Sequence, residues 1–168
     1  MKKTTATTIA KYNALQKKPM REMCTVLQTE IQKNLKKSES KIWHGSPVWF
    51  IDENPIVAYS TRVSGKVSLM FFSGQSFDEV GLQNEGKFKA AEILYGDVSE
   101  IKTTHLRRWL KKSVKIQWDY KNLVKNKGTL VKVPARTEKV CSRGHVFTKS
   151  KDIPTCPTCW PGRYKLKK

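Results

Sequence analysis

Near the C-terminus the chain reads Cys141-Ser-Arg-Gly-His145, then ten residues, then Cys156-Pro-Thr-Cys159. Three of the four cysteines and one of the three histidines lie within these nineteen residues, beside almost no aliphatic sequence. So short a stretch cannot bury a core of its own. A tetrahedral Zn2+ ion folds such segments through two short ligand pairs separated by a loop, here Cys141/His145 and Cys156/Cys159. Four protein ligands leave no position for water, so one structural zinc is expected rather than a catalytic one. Its binding free energy, roughly 10–16 kcal/mol in comparable zinc peptides, would be the folding free energy of residues 141–161.

The same thiols suggest two other chemistries. Cys-Pro-Thr-Cys matches the dithiol of thiol–disulfide enzymes, whose first cysteine is activated by the helix that follows it. Pro154 before the motif and Trp160-Pro161-Gly162 after it argue against such a helix. A structural disulfide with one spare thiol would suit a secreted chain. Residues 1–20 hold several lysines but no continuous apolar run, so no signal peptide is visible. The expected location is the cytoplasm, where reducing conditions disfavour disulfides.

Charge points to a partner. Thirty-three basic and fourteen acidic residues give +19, spread as +6 over residues 1–40, +3 over 41–124 and +10 over 125–168. A nearly balanced body with cationic ends favours polyanions, nucleic acid above all, by releasing condensed counterions. Arg143, Lys149, Lys151, Arg163, Lys165, Lys167 and Lys168 are the phosphate-contacting candidates. Trp160 and Tyr164 stand beside them, where aromatics stack on exposed bases; the competing role for Trp160 is to cover the metal site. Solvation alone is the plainer reading of such charge runs. No apolar stretch approaches eighteen residues, so no membrane span is expected.

The elements that must position these residues follow from spacing. Met20, Met23, Leu27, Ile31 and Leu35 recur at steps of three and four, which predicts an amphipathic helix over residues 18–37. Residues 43–50 are aromatic-rich and broken by Gly45 and Pro47, a turn leading into a strand. Residues 56–63 and 66–72 predict a hairpin around Ser64-Gly65, and Gly74 stops its second strand. Residues 88–95 suit a shorter strand. Helical spacing returns over residues 101–124, with Leu106, Trp109, Leu110 and Val114 on one side. The predicted fold class is α+β, an antiparallel sheet packed against two long helices, plus a small C-terminal zinc knuckle. The predicted divisions are a basic segment 1–17, a body 18–124, a basic linker 125–140, the knuckle 141–161 and a basic tail 162–168.

Trp43, His44, Pro47, Trp49 and Phe72 form an aromatic group read in two ways: core and sheet-face packing, or a pocket for a small ligand or protein partner. Enzyme signals are absent from the sequence. There is no Gly-rich phosphate loop and no nucleophile elbow, and the nearest carboxylate pairs, Asp52/Glu53 and Asp78/Glu79, fall in expected turns.

Several motifs stand together: Trp43-His-Gly45-Ser-Pro47-Val-Trp49-Phe, Asn54-Pro55-Ile-Val-Ala-Tyr59-Ser, Phe71-Phe-Ser-Gly74-Gln-Ser-Phe77, Arg108-Trp109-Leu and Gln117-Trp118-Asp119-Tyr120. Over roughly residues 18–124 this pattern resembles the YdhG-like family, small bacterial proteins built on a domain of unknown function with a frataxin-like α+β fold. The cysteine-rich tail resembles the zinc-ribbon-like extensions of some members. The resemblance implies the frataxin-like fold and suggests iron handling through a ridge of Asp and Glu. This chain departs from that ridge, because its first long helix carries only Glu22 and Glu30 among lysines. The expectation is a non-enzymatic cytoplasmic protein with one structural zinc, binding nucleic acid or another polyanion through its basic ends. A protein-interaction or small-ligand module around Trp43 and Trp49 is the alternative.

Overall fold

A computed structural model describes residues 6–134, 138–148 and 155–161, which divide into two compact units, Met1–Val131 and Lys132–Lys168. The first unit is α+β. Its helices are α1 (Ile9–Ala14), α2 (Met20–Asn34) and α3 (Thr103–Lys115). Its sheet is built from β1 (Glu39–Trp43), β2 (Ser46–Ile51), β3 (Asn54–Ser60), β4 (Val67–Phe71), β5 (Gln83–Glu85) and β6 (Ala90–Tyr95). The six strands run antiparallel in the order β1-β2-β3-β4-β6-β5.

Side-chain period explains the layers. Met23, Cys24, Leu27 and Ile31 on α2, and Leu106, Trp109 and Leu110 on α3, lie at helical steps and are fully or almost fully buried. They share one core with Trp49, Val57, Tyr59, Leu69 and Phe71 of the sheet. Phe71 meets Phe77 and Trp109 edge-to-face at 5.5 and 6.1 Å. Arg107 of α3 donates twice to the Glu30 carboxylate of α2, at 2.9 and 3.1 Å, and clips the helices together. Burial pushes the Cys24 thiol up to about 12, so it packs as a small apolar group.

Four elements differ from the sequence expectation. The N-terminal segment is part of the body: Ile9, Tyr12 and Asn13 of α1 are buried, Tyr59 Oη donates to Asn13 Oδ1 at 2.7 Å, and Tyr12 Oη accepts from the Thr61 N–H at 3.0 Å. Residues 39–43 form a strand paired with β2, ahead of the turn that the sequence placed before β2. Residues 83–85 add a strand beside β6. The last helix ends at Lys115 instead of running to 124; residues 117 and 118 are extended as β7 (Gln117–Trp118).

A buried asparagine accounts for that stop. Asn54, 4 % exposed, donates to Gln117 Oε1 at 3.3 Å and to the Trp118 carbonyl at 3.0 Å. Its Oδ1 accepts from the N–H groups of Tyr120 at 3.0 Å and Lys121 at 3.3 Å. These bonds hold the backbone after α3 in an extended, then turned, path that a continued helix could not supply. Glycine is required at position 74 for a different reason. A Cβ there would stand 2.7 Å from Ala91 Cβ and 3.0 Å from its backbone nitrogen.

The second unit contains β8 (Lys132–Val133) and a hairpin of β9 (Glu138–Val140) and β10 (Val146–Thr148), in the register Val140↔Val146 and Lys139↔Phe147. The hairpin thus begins inside the stretch expected to be linker. Among the described residues no helix is long and apolar enough to cross a membrane.

Replacing Asn54 by Leu strands the partners of one buried side chain, and the urea midpoint should fall by an equivalent of about 2–3 kcal/mol. Glu79 gives an acid-sensitive counterpart. It accepts from Arg108 at 2.6 Å and Lys112 at 2.7 Å, and the Arg108 hydrogen bonds chiefly hold its carboxyl down, from near 4.5 to about 2. A depressed folded value stabilises above the unfolded one. Its contribution should therefore be complete above about pH 4.5 and disappear as pH falls through about 2, a loss of roughly 1–2 kcal/mol. Urea melts of Glu79→Gln should lack that component of the acid dependence.

Candidate metal centre

The hairpin supplies the first ligand pair. Residues 141–145 connect β9 to β10, and the loop is closed by Cys141 N–H donating to the His145 carbonyl at 3.0 Å. Gly144 N–H returns to the Cys141 carbonyl at 2.9 Å, and Gly144 takes φ 82°, where a side chain would strain the turn. The second pair sits on a separate turn, where Trp160 N–H donates to the Cys156 carbonyl at 3.1 Å.

The two turns converge. The Sγ atoms of Cys141, Cys156 and Cys159 and a ring nitrogen of His145 all lie within 4.8 Å of one another. Cys141 Sγ stands 3.5 Å from His145 Nδ1 and 3.5 Å from Cys159 Sγ. His145 Nδ1 is 3.3 Å from Cys159 Sγ and 3.9 Å from Cys156 Sγ. None of the cysteines is in a disulfide. Cys156 is buried and the other three ligating residues are half-buried. These four residues could hold one metal ion.

Electrostatics favour a cation at their centre. Desolvation raises the Cys141 thiol, but backbone N–H groups of Arg143 and His145 and the neighbouring thiols outweigh it and bring it down to about 6. Desolvation and the same thiol contacts push Cys159 up to about 11. The first thiolate therefore forms readily, while the last resists the negative charge already gathered there. A bound cation removes that resistance, because thiolates ionise outright when they coordinate.

A cavity of about 520 Å³ adjoins the cluster, with Arg143, Phe147 and Trp160 on its wall. Trp160 is 60 % exposed, so it borders the cysteines without sealing them. Arg143 is exposed as well. Lys149, Lys151, Arg163, Tyr164, Lys165, Lys167 and Lys168 lie outside the described residues.

The aromatic group expected around Trp43 is divided between the faces of the sheet. Trp43, His44 and Phe72 line a cavity of about 510 Å³. Trp49 does not: it is 1 % exposed, in the helix-side core, 5.5 Å from the Tyr59 ring. Pro47 is buried and does not line the cavity either. The physical reason is the hairpin register, in which Trp43 pairs with Ser46 and residues 46, 48 and 50 share its face. Sequence reasoning missed Arg62, Ser68, Glu85 and Glu92, which also line this cavity; only a correct strand register could have assembled them.

Comparison with protein-family models, with curated proteins and with solved structures finds no match.

Titration of the reduced, metal-free protein with Co2+ should saturate at one equivalent and develop thiolate charge-transfer bands. Cys141→Ser or His145→Ala should weaken binding by at least the 10–100-fold that loss of even an outer-shell contact costs. Unchanged affinity in either variant would show that the turns do not act as one site.

Proposed function

We propose that this chain is a non-enzymatic member of the YdhG-like group, with a frataxin-like body, in which Cys141, His145, Cys156 and Cys159 hold one structural Zn2+. Its basic ends bind nucleic acid or another polyanion in the cytoplasm. The observation that carries the reading is the convergence of four ligand atoms from two separate turns to within 4.8 Å. Zinc is supported by geometry and donor type. A tetrahedron with sulfur about 2.3 Å and nitrogen about 2.0 Å from its centre has edges of roughly 3.5–3.8 Å. Four of the six separations, 3.3 to 3.9 Å, lie near those edges, within a group that spans up to 4.8 Å. Three thiolates and one imidazole suit a borderline-soft ion, not the hard oxygen-seeking ones. When bound, the ion supplies cross-linking: it fixes the hairpin to the second turn and so orders the surface that bears Arg143 and Trp160.

Polyanion binding is supported by the charge, with twelve basic and two acidic residues over positions 125–168, and by an exposed tryptophan beside an exposed arginine. Glu30 and Glu79 are engaged by Arg107, Arg108 and Lys112 in ion pairs. Iron delivery has no comparable support. Among the described residues, the one group of three or more His, Cys, Asp or Glu placed to share an ion is the cysteine cluster. A second reading, a small-ligand or protein-interaction module, is favoured by the cavity beside Trp43.

Freshly purified protein should contain about one zinc per chain; less than half an equivalent would defeat the metal assignment. Fluorescence anisotropy with short single- and double-stranded DNA and RNA should show submicromolar binding near physiological salt, with a steep log–log salt slope. Reversing the charge of Lys165, Lys167 and Lys168 should flatten that slope by about 2–3. No binding at low salt would assign the charge to solvation.

A further inference from the structure

Helices α2 and α3 cover one face of the sheet, and the cavity beside Trp43 lies on the other. Its floor is a single cross-strand row. Val48 pairs with Ala58, Ala58 with Met70, and Met70 with Glu92, so three apolar side chains lead directly to a carboxylate. Ser68, one step along β4, donates from its hydroxyl to the Glu92 carboxylate. The aromatic wall is Trp43, whose ring lies 5.7 Å from Phe50 and 6.2 Å from Phe72.

The hairpin tip fixes that wall. His44 and Gly45 are the two-residue loop between β1 and β2, and both take positive φ, 48° and 74°. That is the loop geometry best suited to Asn-Gly, and histidine in the left-handed region is uncommon. An Arg62 guanidinium nitrogen donates to the His44 carbonyl and ties the tip to the end of β3. Trp43 is thereby held at the rim although it remains 38 % exposed.

We propose that this cavity binds a planar, uncharged, nitrogen-rich heteroaromatic small molecule that presents an N–H-donating edge, of which a guanine-type base is the simplest natural case. Its volume of about 510 Å³ is that of a small-molecule site. An apolar floor beside an exposed indole takes a flat, weakly hydrated body. The Glu92 carboxylate accepts one hydrogen bond from Ser68 and keeps acceptor capacity for more, so the facing ligand edge should donate. Two adjacent N–H groups on a flat ring match a carboxylate in the same two-pronged manner as a guanidinium. Arg62 and Glu85, of opposite charge, line the same cavity, so its net charge does not set the choice. An ammonium would also donate, but as a compact, strongly hydrated point charge it lacks the two coplanar N–H groups that pair with a carboxylate. The site lies wholly within the first unit and does not depend on the metal-centre reading.

The test is calorimetric titration of the zinc-loaded full chain with guanosine, uridine and tyramine at physiological salt. Guanosine should bind saturably, one per chain, below about 1 mM, and at least tenfold tighter than uridine or tyramine. Glu92→Gln should weaken guanosine at least tenfold, because an amide turns an N–H toward the donor edge. If that variant lowers the urea midpoint, Trp43→Ala, which alters a half-exposed side chain, carries the same comparison. Absence of saturable guanosine binding overturns the proposal. So does tyramine binding as tightly as guanosine, or variants that bind guanosine like the parent protein. Loss of nucleic-acid binding by the charge-reversed tail, with guanosine binding intact, would separate this site from the basic ends.

Discussion

Strand alternation gives β2 and β3 two faces to hide, and the first unit is organised around that demand. All six residues of Ser46–Ile51 are buried, and six of the seven in Asn54–Ser60. The helices satisfy only the face carrying Trp49, Ile51, Val57 and Tyr59. On the opposite face Val48, Phe50, Ala58 and Phe72 form a smaller cluster, with Met70 and Tyr120 against it. Tyr120 covers part of that cluster only because the chain leaves its helix at Lys115, and Asn54 holds it there. Among the described residues of the first unit no helix covers the rest of that face, and the cavity lies there.

The second unit solves the opposite problem. Its strands are two or three residues long, and Val140 and Val146 are each about half exposed. Burial cannot hold it. What it has is a concentration of thiols that repel one another when ionised, together with a ring nitrogen aimed among them. A bound cation would relieve that repulsion, and order and metal content would then form one equilibrium. Arg143 and Lys139, which line the same cavity as the cysteines, would temper the net negative charge that three thiolates leave on a divalent ion.

Parts of this were legible in the sequence because the signals were local. The steps through Met23, Leu27 and Ile31, and through Leu106, Trp109 and Leu110, fall within single helices, and the cysteine pairs announce their turns directly. The rest depended on distant partners. Helical spacing runs on past Lys115, but Asn54, more than sixty positions earlier, captures Trp118 and Tyr120. Trp43 and Trp49 have the same parity along the chain and look like neighbours on one face. A two-residue turn between them inverts the parity, and only the register reveals it. Residues 9–14 were obscured by the lysines around them, although Ile9 and Tyr12 carry the contact.

The edges of the sheet carry a consequence for how the chain behaves in company. One border is β1, whose exposed positions include Glu39 and Lys41; the other is β5, three residues long and exposed throughout. A charged border and a stunted one give an incoming strand little to register against. The sheet is open in topology yet closed to growth. Edge-to-edge pairing between copies of the chain is thereby disfavoured.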